Sequence, residues 1–267
     1  MTAQFDFGYG LVDAHQHANG GGWVADTARV GASAFVGPKA VVCGKAQVCG
    51  KAQVYGEAKV YGQAVVCDQA VVCGKAVVCG KAKVYGEAKV YGEAKVYGHA
   101  VVYGLARVCD QALVYGYTLV YGEAQVCDQA KVCDHAKVCD QAKVCDQARV
   151  YGEAKVYGEA VVCGEAKVYG EAVVCGKAVV CVKAVVCVKA QVCDQARVSI
   201  SPLFLSGFES PITITDNLIT VGGATDTLYG WRTRQDLTRA PDVAVFMYEI
   251  AIFAAAHQRK AAKGAQT

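Results

Sequence analysis

Valine recurs at every sixth residue from Val24 to Val198, 30 times without a gap. Alanine stands four residues after these valines, from Ala28 to Ala196, with Thr118 as the one exception. A period this strict, sustained over about two thirds of the 267 residues, marks a stack of repeats and constrains the fold before composition does. The unit reads Ala-x-Val-(Cys/Tyr)-(Gly/Asp)-x. Ala and Val, two residues apart, point to one face of a short strand, and the residue between them, usually Lys, Arg, Gln or Val, points to the other. Gly or Asp two residues past the valine tolerates positive φ, so the chain turns there. A helix is excluded, because a period of six does not fit 3.6 residues per turn and a Gly or Asp in every unit would disrupt it. Each hexad is one strand and one corner.

This pattern resembles that of the hexapeptide-repeat proteins, whose fold is a left-handed parallel β-helix. The resemblance implies an all-β fold with three hexads per triangular coil and with Val and Ala of each hexad facing inward. Thirty hexads then make ten coils, and strands ~4.8 Å apart give a rod of roughly 48 Å. The segment HANGGGWVADTA, His17 to Ala28, resembles the lead-in of uncharacterised phage and bacterial members of that family. The expected organisation is an N-terminal cap segment over 1–22, the β-helix over 23–201, and a small C-terminal α+β cap or assembly region over 202–267. In the last region PITITDNLITVGG, Pro211 to Gly223, reads as a hairpin around Asp216-Asn217. A helix is expected from about Pro241 to Lys263. The hairpin and the Trp-containing segment after it also resemble the C-terminal region of those phage proteins.

An 18-residue coil stacks residues 18 apart into columns. Lys39, Glu57, Lys75 and Glu93 then alternate in sign, Tyr85, Tyr103 and Tyr121 form an aromatic ladder, and Cys109, Cys127, Cys145, Cys163 and Cys181 form a thiol ladder. The Cys/Tyr phase should face outward, since no interior site absorbs such a change of volume. The 15 cysteines all share this phase, no CxxC occurs, and tyrosine replaces them elsewhere. Reduced thiols in a cytoplasmic protein are therefore expected, rather than a disulfide framework. Val182 and Val188 stand where Gly or Asp should turn the chain, so altered corners are expected there.

The formal net charge of +3 does not indicate a nucleic-acid partner. The N-terminus lacks a basic start followed by an apolar run, and the longest mostly apolar stretch, Val243 to Ala256, is too short to span a bilayer. A location in the cytoplasm, or in a virion if the source is a phage, follows. The expected partners are another copy of the chain or another protein, with no membrane involved and no cofactor called for. The column Lys131, Arg149 and Lys167 reads as a solvated face, and the lack of outward threonines (only Thr27 and Thr118 lie in the repeats) excludes ice binding.

Three groups carry possible chemistry. Asp13-Ala14-His15-Gln16-His17 resembles the metal-binding start of amidohydrolases, but the barrel and further ligands those enzymes need are absent, so a capping segment with satisfied histidines is expected. His99 and His135 share a column with Tyr117 between them. The family resemblance suggests a trimeric acyltransferase in which such a histidine serves as general base, although 30 hexads without an insertion leave no loop to build the site. The stacked Cys-Asp-Gln units at Cys109, Cys127 and Cys145 offer thiolate and carboxylate to a soft metal, and duplication followed by drift explains them as well. The functional expectation is a non-enzymatic structural or interaction rod, with the acyltransferase as alternative.

Overall fold

The hexads fold as their pattern requires, each into a two-residue strand and a corner. The computed structural model describes residues 3–205, 212–221, 224–227, 229–230, 256 and 258. Strands β1 (Ala3–Asp6), β2 (Leu11–Gln16) and β3 (Trp23–Ala25) are followed by β4 to β32, two residues each, from Arg29–Val30 to Arg197–Val198. Every third strand belongs to the same sheet, so three parallel sheets form the three walls of a β-solenoid. Two of the sheets have 10 strands, and the third has 12 because β1 and β2 extend it. Pairing is parallel with partners 18 residues apart from one end to the other, beginning Val24↔Val42 and ending Val180↔Val198. All three walls keep this register.

Inside, the Val and Ala positions form one continuous core from Val24 to Val198, nearly all of it fully buried. Each such valine contributes ~1.5–3 kcal/mol of burial before ordering entropy, so a single coil is not stable and the stack is. Three backbone N–H groups per hexad donate to the next coil. Lys59 N–H bonds Ala76 O at 2.9 Å, Tyr61 N–H bonds Val78 O at 3.0 Å, and Gln63 N–H bonds Gly80 O at 2.7 Å.

The corners show why Asp can replace Gly. Gly44 to Gly176 at this phase have positive φ, and the Asp corners share it, with φ of 61° at Asp68 and 59° at Asp110. The carboxylate offsets the cost of the left-handed conformation, because it accepts the corner N–H of the coil above. Asp68 accepts from Gly86, Asp134 from Gly152, and Asp140 from Gly158, each at 3.0 Å. Val182 and Val188 correct the expectation of altered corners, since both take φ of 60° like their Gly counterparts. Their carbonyls still accept Glu165 N–H and Glu171 N–H at 2.7 Å. The register of the coils imposes the dihedral, and the valine side chains project into solvent, 58% and 57% exposed.

The first coil is covered by a hairpin. β1 and β2 pair antiparallel, and β2 then pairs antiparallel with β3. Gly8 and Gly10 N–H groups both bond Asp6 Oδ1, at 2.7 and 3.0 Å, which fixes the turn. Phe5 stacks on Trp23 at 4.6 Å and meets Phe7 edge-on at 4.9 Å.

At the other end, the expected hairpin is β34 (Ile212–Ile214) and β35 (Ile219–Val221), flanked by β33 (Leu203–Leu205) and β36 (Ala224–Asp226) in a four-stranded antiparallel sheet. Its Asp216-Asn217 turn closes the open edge of the last coil. Asp216 N–H bonds Arg197 O at 2.9 Å, Arg197 N–H bonds Asn217 Oδ1 at 2.7 Å, and Ser199 N–H bonds Asp216 Oδ2 at 2.6 Å. The helix expected over Pro241 to Lys263 lies outside the described residues, apart from Ala256 and Gln258, which are helical. Among the described residues, no helix is long and apolar enough to cross a membrane.

Thr118, the one break in the alanine series, is fully buried, and its Oγ1 has no hydrogen-bond partner. Thr118→Ala should therefore raise stability by about 1 kcal/mol, measured as a higher denaturant midpoint at unchanged slope. Val182→Gly and Val188→Gly should each raise the midpoint by a similar amount, roughly 1 kcal/mol, by removing a β-branched residue from left-handed φ.

Candidate functional site

Because the register never slips, chemistry on this surface is organised by columns, and each outward residue meets the residues 18 before and after it. Tyr85, Tyr103 and Tyr121 stack with ring centroids 5.1 and 5.0 Å apart, as expected. Tyr97 stacks on Tyr115 at 4.9 Å and Tyr151 on Tyr169 at 4.8 Å. Of the alternating charge column, Lys75 and Glu93 pair at 3.5 Å, and three further Lys–Glu pairs lie near the C-terminal end. All four are solvated and contribute at most about 1 kcal/mol each.

Tyrosines also reach along the column to thiols. Tyr55, Tyr61, Tyr91, Tyr115, Tyr121 and Tyr169 each face the thiol 18 residues later. The thiol beside each hydroxyl, followed by partial burial, pushes the phenols of Tyr61, Tyr91, Tyr115 and Tyr121 up to about 12.

The histidines take two different settings. His15 is exposed and its Nδ1 lies 2.8 Å from Asp26 Oδ1, whereas His17 is buried with Nε2 3.1 Å from Ala34 O. Asp13 Oδ1 accepts from Gln4 Nε2 at 3.4 Å. The two rings thus serve separate partners inside the capping segment. His99 and His135 are both exposed and sandwich Tyr117, with centroids 4.6 and 5.2 Å from its ring. Each imidazole is placed by stacking alone, on a flat wall.

The cysteines depart from expectation in two ways. They point away from the Val/Ala core, yet Cys43, Cys109, Cys139 and Cys145 are buried, because stacked neighbours in the column shield the short side chain. Second, Cys175 and Cys193 form a disulfide, so the cysteines are not all reduced thiols. The crosslink joins adjacent coils, 18 residues apart with Cα atoms at 4.5 Å, a separation the solenoid offers to any two cysteines stacked in one column.

The expected thiol ladder is present, and its middle is a compact donor set. Cys127 Sγ, an Asp128 carboxylate oxygen and Cys145 Sγ all lie within 4.8 Å of one another. Cys109 Sγ–H bonds Asp110 Oδ2 at 3.1 Å, so the lower step pairs thiol with carboxylate in the same way. Burial first, then the hydrogen bond and charge of Asp128, and then the neighbouring thiols Cys109 and Cys145 push the Cys127 thiol up to about 12. Burial leads the causes that raise Cys109 and Cys163 to about 11.

No family model, curated protein or solved structure matches the chain. Its chemistry has to be read from its own columns. One signal is visible in the sequence only when adjacent phases are compared. Every Asp corner from Asp68 to Asp194 follows a cysteine, and every tyrosine at that phase is followed by Gly. In the Cys109–Asp110 unit the thiol donates to the neighbouring carboxylate.

With its thiol held neutral, Cys127 should alkylate with iodoacetamide at pH 8 at least about tenfold more slowly in the reduced folded protein than in the denatured chain. Peptide mapping by mass spectrometry after timed quenching reads the two rates.

Proposed function

We propose that the protein is a non-enzymatic structural or interaction element, a rigid β-solenoid rod whose Tyr, Cys and charged ladders meet another copy of the chain or another protein. The observation that carries this reading is the unbroken 18-residue register from Val24↔Val42 to Val180↔Val198. An active site needs groups converging from several elements into a sheltered space. Here outward groups stand on flat walls and meet residues of their own column. Membership of the hexapeptide-repeat family, a left-handed sense of coiling, a phage or bacterial source and a cytoplasmic or virion location belong to the same proposal. They rest on the hexad pattern and on the Gly20-Gly21-Gly22-Trp23-Val24 lead-in.

One observation favours the acyltransferase as a second reading. His99 and His135 are exposed and held in one stack with Tyr117, so a neighbouring subunit could cover them.

Sedimentation velocity together with calorimetric titration of acetyl-CoA separates the two. The rod reading expects assembly that shifts toward monomer in Tyr85→Ser/Tyr103→Ser/Tyr121→Ser, with the far-ultraviolet spectrum unchanged and no acetyl-CoA heat. Saturable acetyl-CoA binding that is lost in His99→Ala/His135→Ala would replace it with the enzyme reading.

A further inference from the structure

We propose that the middle of the thiol ladder is a binding site for a thiophilic divalent cation of the zinc class, with Cys127 Sγ, Asp128 carboxylate and Cys145 Sγ as its ligands. This goes beyond the rod reading and does not depend on it. The three donors come from two successive coils of one corner, and they already lie within 4.8 Å of one another. Zinc–sulfur bonds of ~2.3 Å in a tetrahedral site put two sulfurs ~3.8 Å apart, so closure needs a movement of no more than about an ångström. A χ1 adjustment of either cysteine supplies this, because both side chains lie outside the packed Val/Ala core.

The carboxylate is aimed before any ion arrives. Asp128 Oδ2 accepts the N–H of Asp146 at 3.2 Å, which fixes the plane of the group beside the Cys127 thiol. Asp146 is oriented by the same device, accepting Gly164 N–H at 2.8 Å. Outer contacts that orient a ligand are a regular part of metal sites. The donor set also selects the ion. Two thiolates favour soft and borderline metals over Mg or Ca, and the carboxylate suits borderline Zn(II) better than Cu(I).

The length of the thiol column separates this site from the other cysteines, including the stacked pair Cys49 and Cys67 with Asp68. Cys73 stands between Tyr55 and Tyr91 in its column, and Cys133 between Tyr115 and Tyr151, so neither has a second thiol 18 residues away. Only in the column of Cys109, Cys127, Cys145, Cys163 and Cys181 do thiols run through five consecutive coils. In that column Asp110, Asp128 and Asp146 stand beside the first three.

Binding is a proton exchange. The cation displaces the thiol protons of Cys127 and Cys145 to solvent, Asp128 enters as carboxylate, and no oxidation state changes. About two protons should therefore leave per ion bound. The groups that face these thiols are Asp128, Cys109 and Cys145 around Cys127, and Asp146, Lys143, Asp128, Cys127 and Cys163 around Cys145.

The test is titration of the full chain, kept reduced with a non-thiol phosphine, with Co(II) as optical stand-in and then with Zn(II) in competition. One equivalent of Co(II) should produce sulfur-to-cobalt charge-transfer absorption that Zn(II) abolishes, with about two protons released. Cys127→Ser/Cys145→Ser should lose the band, while Cys73→Ser/Cys133→Ser should keep it. Asp128→Gly, which restores the commonest corner residue and so keeps the coil, should weaken binding at least about tenfold. Far-ultraviolet spectra confirm that each variant is folded. A wild type without charge-transfer absorption, a band that survives Cys127→Ser/Cys145→Ser, or unchanged affinity in Asp128→Gly would each overturn the assignment.

Discussion

The structure depends on the fit between a Val/Ala interior and an 18-residue coil. A small and a medium aliphatic residue per hexad fill a narrow triangular interior with no room for a larger one. Once that interior is filled, the backbone of each coil lies within hydrogen-bonding reach of the next, as in the Tyr61-to-Val78 bond of 3.0 Å. Corner dihedrals, column membership and strand length all follow from this. Local preference yields to it where the two conflict. Val182 and Val188 hold φ of 60° because a different corner would break bonds to the coil below and displace buried valines on either side.

The same constraint turns a one-dimensional pattern into surface chemistry. Substitution at the outward phases costs the core nothing, so those phases are free to vary, and each change is read against its column neighbours. A tyrosine over a tyrosine becomes a stack, as in Tyr97 on Tyr115. A tyrosine under a cysteine becomes a phenol–thiol contact, as between Tyr91 and Cys109. A cysteine over a cysteine becomes either a crosslink, as in Cys175–Cys193, or a pair of donors, as in Cys127 and Cys145. Surface chemistry in such a protein is therefore a matter of which columns are continuous.

Much of this was legible in the sequence, because strict periodicity determines the inside, the outside and the stacking partner of each repeat residue. The Tyr85–Tyr103–Tyr121 ladder, the thiol ladder and the Asp216-Asn217 turn were all accessible in this way. What escaped depends on contacts that periodicity does not encode. The hairpin over Ala3 to Gln16 has little hexad character and is held by Asp6 and by the Phe5–Trp23 stack. Strands Leu203–Leu205 and Ala224–Asp226 are three residues long, too short for alternation to show, and they exist because the hairpin between them has two open edges. The Cys175–Cys193 bond was missed because substitution by tyrosine elsewhere in the phase seemed to rule out pairing, whereas pairing needs only two cysteines in one column. The Asp corners were legible as turns, but their bond to the N–H one coil above was not, because it depends on the neighbouring coil.

The Val/Ala core has a further consequence. It is so uniform that it cannot tell one coil from another, and a chain threaded one hexad out of place would bury nearly the same interior. The outward columns carry the information the core lacks. Sliding by one hexad would set Cys145 over Tyr157 rather than Cys163, and would bring Leu105 and Gln129 beside Tyr117 in place of His99 and His135. The outward columns thus differ between registers that the core by itself does not distinguish.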